Sequence, residues 1–140
     1  MTVFEELRAD LAKDDDLLAS VLTTAGAFVD EPPTAFIAGP GTDSDPAAYR
    51  YGVEAIREGH LLHWGQARLV ETDDHDLALL AGDRLYAAGL ERIAATGDTE
   101  TISRLSHLIM DSATAMAAGD AHQAEVAWEG CCAEIASHVG

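Results

Sequence analysis

His60 and His63 stand three residues apart in the stretch PAAYRYGVEAIREGHLLHWGQARLVE, residues 46–71, and Asp83 follows in the next helical stretch. Imidazoles and carboxylates exchange protons near neutral pH and bind borderline metals. Three readings are open. His60, His63 and Asp83, with Glu58 or Gln66, could hold zinc or iron through N/O ligands around an open position. A His–Asp dyad could act as acid and base. The plainest reading is a self-satisfied polar network that fixes helix register. Neither HExxH nor Glu-x-x-His accompanies the histidines, and those are the spacings that set metal ligands on one helix face. Cys131 and Cys132 are adjacent, with no CxxC, so a small apolar packing role is expected of them.

The elements that must position these groups follow from periodicity. Tyr49, Val53, Ile56, His60, His63, Ala67 and Val70 recur at steps of three and four and share one helix face. Arg50, Glu54, Arg57 and Arg68 fall opposite, on the face expected to be wetter. This helix is expected to run to Glu71. Thr72 to Asp76 then makes a tight turn; its acids could bind a cation, but they sit where a helix N-cap belongs. Over residues 77–96, Leu79, Asp83, Tyr86, Leu90 and Ile93 form a stripe in which Asp83 interrupts the apolar face, with Gly82 permitting close helix approach. Two helices folded about the turn bring level those residues whose numbers sum to about 146. His63 is then expected opposite Asp83, and His60 opposite Tyr86.

The remaining chain reads as further helices. Phe4, Leu7 and Leu11 mark one; Asp14-Asp15-Asp16 precedes a second, with Asp16 as cap, running through Val29 to stop before Pro32-Pro33. Residues 34–45 form a surface loop whose glycines lack the lysine of a phosphate loop. Asp45-Pro46 opens the central helix. Gly97-Asp98 and Gly119-Asp120 each stop one helix and cap the next. Between them Ile102, Leu105, Ile109, Ser112 or Ala113, and Met116 are expected inward, with His107 and Asp111 outward. After them Ala124, Trp128, Cys131 or Cys132, and Ile135 are expected inward. No segment alternates with period two. The expectation is an all-α, single-domain bundle of about six helices over residues 1–140.

Composition narrows the partners. Eight basic against 25 acidic residues give a net charge of −17 over 140 residues, and Lys13 is the only lysine. Nucleic acid and anionic membrane both require basic surface, so neither is an expected partner. The acidity suits either a basic partner or a high-salt cytosol, where screening relieves self-repulsion. No apolar run is long enough to span a bilayer, and the first residues carry no signal-peptide pattern. A cytoplasmic protein is expected.

The stretch LLAGDRLYAAGLERIAATGD, Leu79 to Asp98, resembles the polyprenyl synthetase helix that reads roughly LAGDYLLALALELLAELGD. EAIREGHLLHWGQARL before it is similar to that family's AIELIHxASLIHDD helix, with His60 at the family histidine. The resemblance spans residues 54–115 and implies an isoprenoid-synthase-like core fragment. Where the family carries its first aspartate-rich motif, this chain has Ala67-Arg68-Leu69-Val70-Glu71, and the loop with diphosphate-gripping arginines is missing. Allylic diphosphate chemistry needs Mg²⁺ held against phosphate oxygens, and the acids that would hold it are lacking. The resemblance therefore implies a non-catalytic chain, like the motif-less subunits of heteromeric prenyl synthases.

Two functions are expected to compete. One is a non-enzymatic helical protein, a homodimer or a partner subunit, with Trp64, Trp128 and Tyr51 as interface anchors. The other is a binding module with a pocket between helices for an apolar, isoprenoid-like molecule or a metal, built on His60, His63, Asp83, Tyr86 and Trp64.

Overall fold

The structure is a computed structural model that describes residues 3–14, 16–22, 46–65 and 67–139. Six helices follow in order among the described residues: α1 (Val3–Asp14), α2 (Asp16–Ala19), α3 (Pro46–Trp64), α4 (His75–Ala94), α5 (Thr99–Ala117) and α6 (Ala121–Val139). Among the described residues the only extended pairing is one antiparallel bridge, Leu22 with Val70. The chain is an all-α bundle. The second helix differs from expectation: Asp16 is its first residue, not its cap, and it ends at Ala19, where a turn leads to the Leu22 bridge. Asp15, residues 23–45 with Pro32-Pro33, the 34–45 loop and the Asp45 cap, and Gln66 lie outside the described residues.

Local chemistry sets the helix ends. Asp74 accepts from the Leu77 amide at 3.1 Å and opens α4. Gly97 and Gly119 take φ of 81° and 75°, the left-handed turn that ends a helix at little cost for a residue without Cβ. The aspartate after each glycine then caps the next helix: Asp98 accepts from Thr101 at 3.0 Å, Asp120 from Gln123 at 2.9 Å.

Around α3 the core divides in two. Tyr51 and Ala55 pack with Phe4, Leu7 and Leu11 of α1, with Leu77, Ala81 and Leu85 of α4, and with Leu69 and Val70. Tyr49, Val53 and Ile56 pack with Ile93 and with Leu105, Leu108, Trp128, Cys132 and Ile135 of α5 and α6. Every residue from Tyr51 to His60 is buried. This corrects the expected wet face: Glu54 and Arg57 lie inside, Glu54 because Arg68 and α1 close over its side of the helix, Arg57 because α6 covers it with Trp128.

Helices α3 and α4 meet through glycines. A Cβ on Gly89 would stand 2.6 Å from the Gly52 carbonyl oxygen, and one on Gly59 would stand 2.8 Å from that of Gly82. Backbones this close leave room for nothing larger than hydrogen. The contact turns Gly82 and Gly89 toward α3, and the expected α4 stripe is corrected accordingly: Leu77, Ala81, Leu85 and Ile93 are buried, Leu79 and Asp83 exposed. On α5 the buried set is Thr101, Leu105, Leu108, Ser112 and Ala115, with Ile102 and Ile109 at its half-buried margin. Cys132 rather than Cys131 faces the core.

Candidate functional site

His63 lies at the end of α3 against the first turns of α4. Its Nε2 donates to the Leu79 carbonyl at 3.1 Å and stands 3.5 Å from Asp83 Oδ1. The expected His63–Asp83 pairing is thus present, but not in the dry interior: the Asp83 side chain is 72% exposed. The Tyr86 ring meets His63 edge-on at 5.2 Å, where His60 was the expected neighbour. Burial, and then the Asp83 charge, push the Tyr86 hydroxyl up to about 12, so it stays protonated at neutral pH.

His60 turns the other way, toward α6. Its ring centre lies 5.6 Å from that of Trp128, and Nδ1 is buried with no hydrogen-bond partner among the described residues. Burial first, then the neighbouring Arg57 charge, lower the His60 pKa to about 4. At neutral pH it is an uncharged core imidazole. Arg57 stacks over the Trp128 ring at 5.1 Å and reaches Glu125 at 3.0 Å. The three expected interface anchors separate as well: Tyr51 and Trp128 are core residues, whereas Trp64 is 40% exposed.

A cluster that periodicity does not predict lies on the α1 side of α3. Glu54 and Glu58, one turn apart, are fully buried. The Arg68 guanidinium reaches Glu54 at 2.8 Å and Glu58 at 2.9 Å, and lies 4.7 Å from the centre of the Phe4 ring. Glu58 also accepts the backbone amides of Arg68 and Leu69. These bonds explain why α3 ends at Trp64 and not at the expected Glu71. The carboxylate draws the following strand of chain back along the helix, so that Val70 can pair with Leu22. Glu58, a candidate metal ligand by sequence, is therefore engaged on the side of α3 away from Trp128.

Other titratable groups also hold structure together. Asp98 accepts from the Tyr49 hydroxyl at 2.6 Å, from Thr101 Oγ1 at 2.7 Å and from His138 Nε2 at 3.1 Å. Burial would raise its pKa, but these hydrogen bonds outweigh it and hold the carboxyl well below the usual range. The other His138 nitrogen stands 3.3 Å from Glu100. Sequence reasoning reached Asp98 as a cap but had no signal for His138, which arrives from 40 residues away. Burial pushes the Cys131 thiol up to about 11 and that of Cys132 up to about 12, so neither is a ready nucleophile.

Chemically, the expected site therefore separates into a half-buried His63–Tyr86 contact that meets an exposed Asp83, and a buried His60. Among the described residues no three His, Cys, Asp or Glu side chains come together as a metal-holding group. Two open grooves lie elsewhere. One of about 380 Å³ runs between α5 and α6, past Arg104, His107 and Cys131. One of about 400 Å³ lies between α1 and α4, beside Lys13, Arg84 and Arg92. No helix among the described residues is long and apolar enough to cross a membrane. No family model, curated protein or solved structure matches the chain.

Proposed function

We propose that this chain is a non-catalytic helical subunit that acts by association, as a homodimer or beside a partner chain. One observation carries the reading: the ionisable side chains of the central helix are engaged in holding the helix itself. Glu54 and Glu58 pair with Arg68, and His60 packs neutral on Trp128. A catalytic acid or base works at the wall of a cavity, within hydrogen-bond reach of its substrate; neither groove described above is lined by these residues. The resemblance of residues 54–115 to polyprenyl synthetases, without the aspartate-rich motifs, supports the same reading and nominates a catalytic chain of that kind as the partner.

Subunit count tests it. Native mass spectrometry of the purified protein, alone and co-expressed with a catalytic prenyl synthetase chain, is expected to show an assembly of more than one chain and no prenyl transfer by this chain alone. A strict monomer in both preparations overturns the reading. So does stoichiometric metal, found by elemental analysis, with turnover that depends on it.

A further inference from the structure

We infer that the end of the bundle formed by the α3–α4 connection is a docking surface for a basic, amphipathic segment of a partner protein. The inference rests on the subunit reading above and says where the partner binds and what its chemistry is. Trp64 closes α3 at 40% exposure; Leu79 and Leu80, in the first turns of α4, are 37% and 54% exposed. The hydrogen bond from His63 to the Leu79 carbonyl holds these two helix ends side by side. Among the described residues, three of the six large apolar side chains left in water thus belong to one end of one helix pair. Apolar groups rimmed by polar ones mark association sites, and tryptophan is the residue most often found at the centre of binding energy.

Charge says what the partner is. Asp76 and Asp83, within a turn of Leu79 and Leu80 on α4, are exposed, as are Glu71, Asp73 and Asp74 in the connection that leads into it, and no lysine or arginine occurs between Arg68 and Arg84. A second copy of this chain would bring the same acids and the same net charge of −17 to the contact. Like charges facing each other at an interface cost several kcal/mol, on the order of what a partner must supply. A helix with leucines on one face and lysines or arginines beside them meets both features: its apolar face covers Trp64, Leu79 and Leu80, and its cations meet the rim.

The probe is a fluorescein-labelled leucine–lysine amphipathic peptide, with a leucine–glutamate peptide as its counterpart, titrated against the full chain at low and at physiological salt. The lysine peptide is expected to bind and the glutamate peptide not. Tryptophan emission is expected to shift to the blue, a change that belongs to Trp64 because Trp128 is already fully buried. Trp64→Ser combined with Leu80→Ser is expected to weaken binding at least about tenfold, the scale of one hot-spot side chain. Met110→Ser, at an equally exposed apolar residue on α5, is expected to leave it unchanged. Unfolding midpoints of the variants check that the fold is intact. Equal binding by wild type, the double variant and Met110→Ser would mean general attraction to an acidic protein and overturns the site. A native dimer that Trp64→Ser dissociates would seat a second copy there and overturns the basic partner. Either result leaves the subunit reading to the assembly mass.

Discussion

His60 is a histidine that folding keeps neutral. In the unfolded chain it titrates near 6.5, in the fold near 4, so between these values the unfolded state binds the extra proton. Its contribution is complete above the unfolded value and is lost as pH falls from 6.5 toward 4. The loss amounts to about 3 kcal/mol by linkage. Urea unfolding midpoints across that window are expected to fall for the natural chain and to fall less for His60→Gln. Asp98 acts in a separate window, because its lowered pKa stabilises the fold above the ordinary carboxyl range and ceases to do so only in stronger acid. Arg68 is the second sensitive residue. Arg68→Met leaves Glu54 and Glu58 buried without their shared cation, an uncompensated burial expected to cost about 3–5 kcal/mol in urea unfolding. Glu54→Gln in the same chain is expected to recover part of that. The inward place of His60 was legible in the sequence, on the face it shares with Val53 and Ile56; the Arg68 pairing was not. Glu54 and Arg57 sit at positions that periodicity assigns to water, and nothing local announces that Arg68 folds back to meet the first of them.

Among the helices, the α3–α4 pair is the contact least tolerant of added volume. Gly52 and Gly59 on α3 interlock with Gly89 and Gly82 on α4. Gly89→Ala drives a methyl against the Gly52 carbonyl, which is backbone and cannot rotate aside, and is expected to destabilise by about 1–3 kcal/mol. Gly130→Ala on α6 meets nothing within 4 Å, and no left-handed φ is required there. It is expected to stabilise by about 0.5–1 kcal/mol, through helix propensity alone. Opposite signs from one substitution type, measured by chemical denaturation, separate close packing from propensity. Gly82 was legible as a site of close approach. Its three counterparts were not, although each pair repeats at seven residues, the spacing that keeps two positions on one helix face. The same contact rotates α4 so that Asp83 reaches the rim and the expected dry His63–Asp83 meeting becomes an exposed one.

At the scale of the molecule, the excess of 25 acidic over eight basic residues sets the electrostatics. Self-repulsion of that excess is expected to make the fold more stable in molar than in dilute salt, as the Debye length shrinks from about 30 Å at 0.01 M to about 3 Å at 1 M. Midpoints of thermal unfolding across a salt series measure it; a flat series would place the acids too far apart to matter. The same charge disfavours association with like chains and favours a basic partner, which is the reason to look for one at the α3–α4 end.

The glycine stops, the aspartate caps that follow them and the antiparallel order of α3 and α4 were all determined by the sequence itself. Each depends on residues within a turn or two of one another: Gly97 with Asp98, Gly119 with Asp120, Asp74 with Leu77. Only the tertiary structure decided that the middle of α3, Tyr51 to His60, is buried on all its sides, that the helix ends at Trp64, and that His60 and His63 part company. Those outcomes depend on α1, α6 and Arg68 arriving from elsewhere in the chain, and hydrophobic periodicity records one buried stripe, not the second layer that encloses the rest.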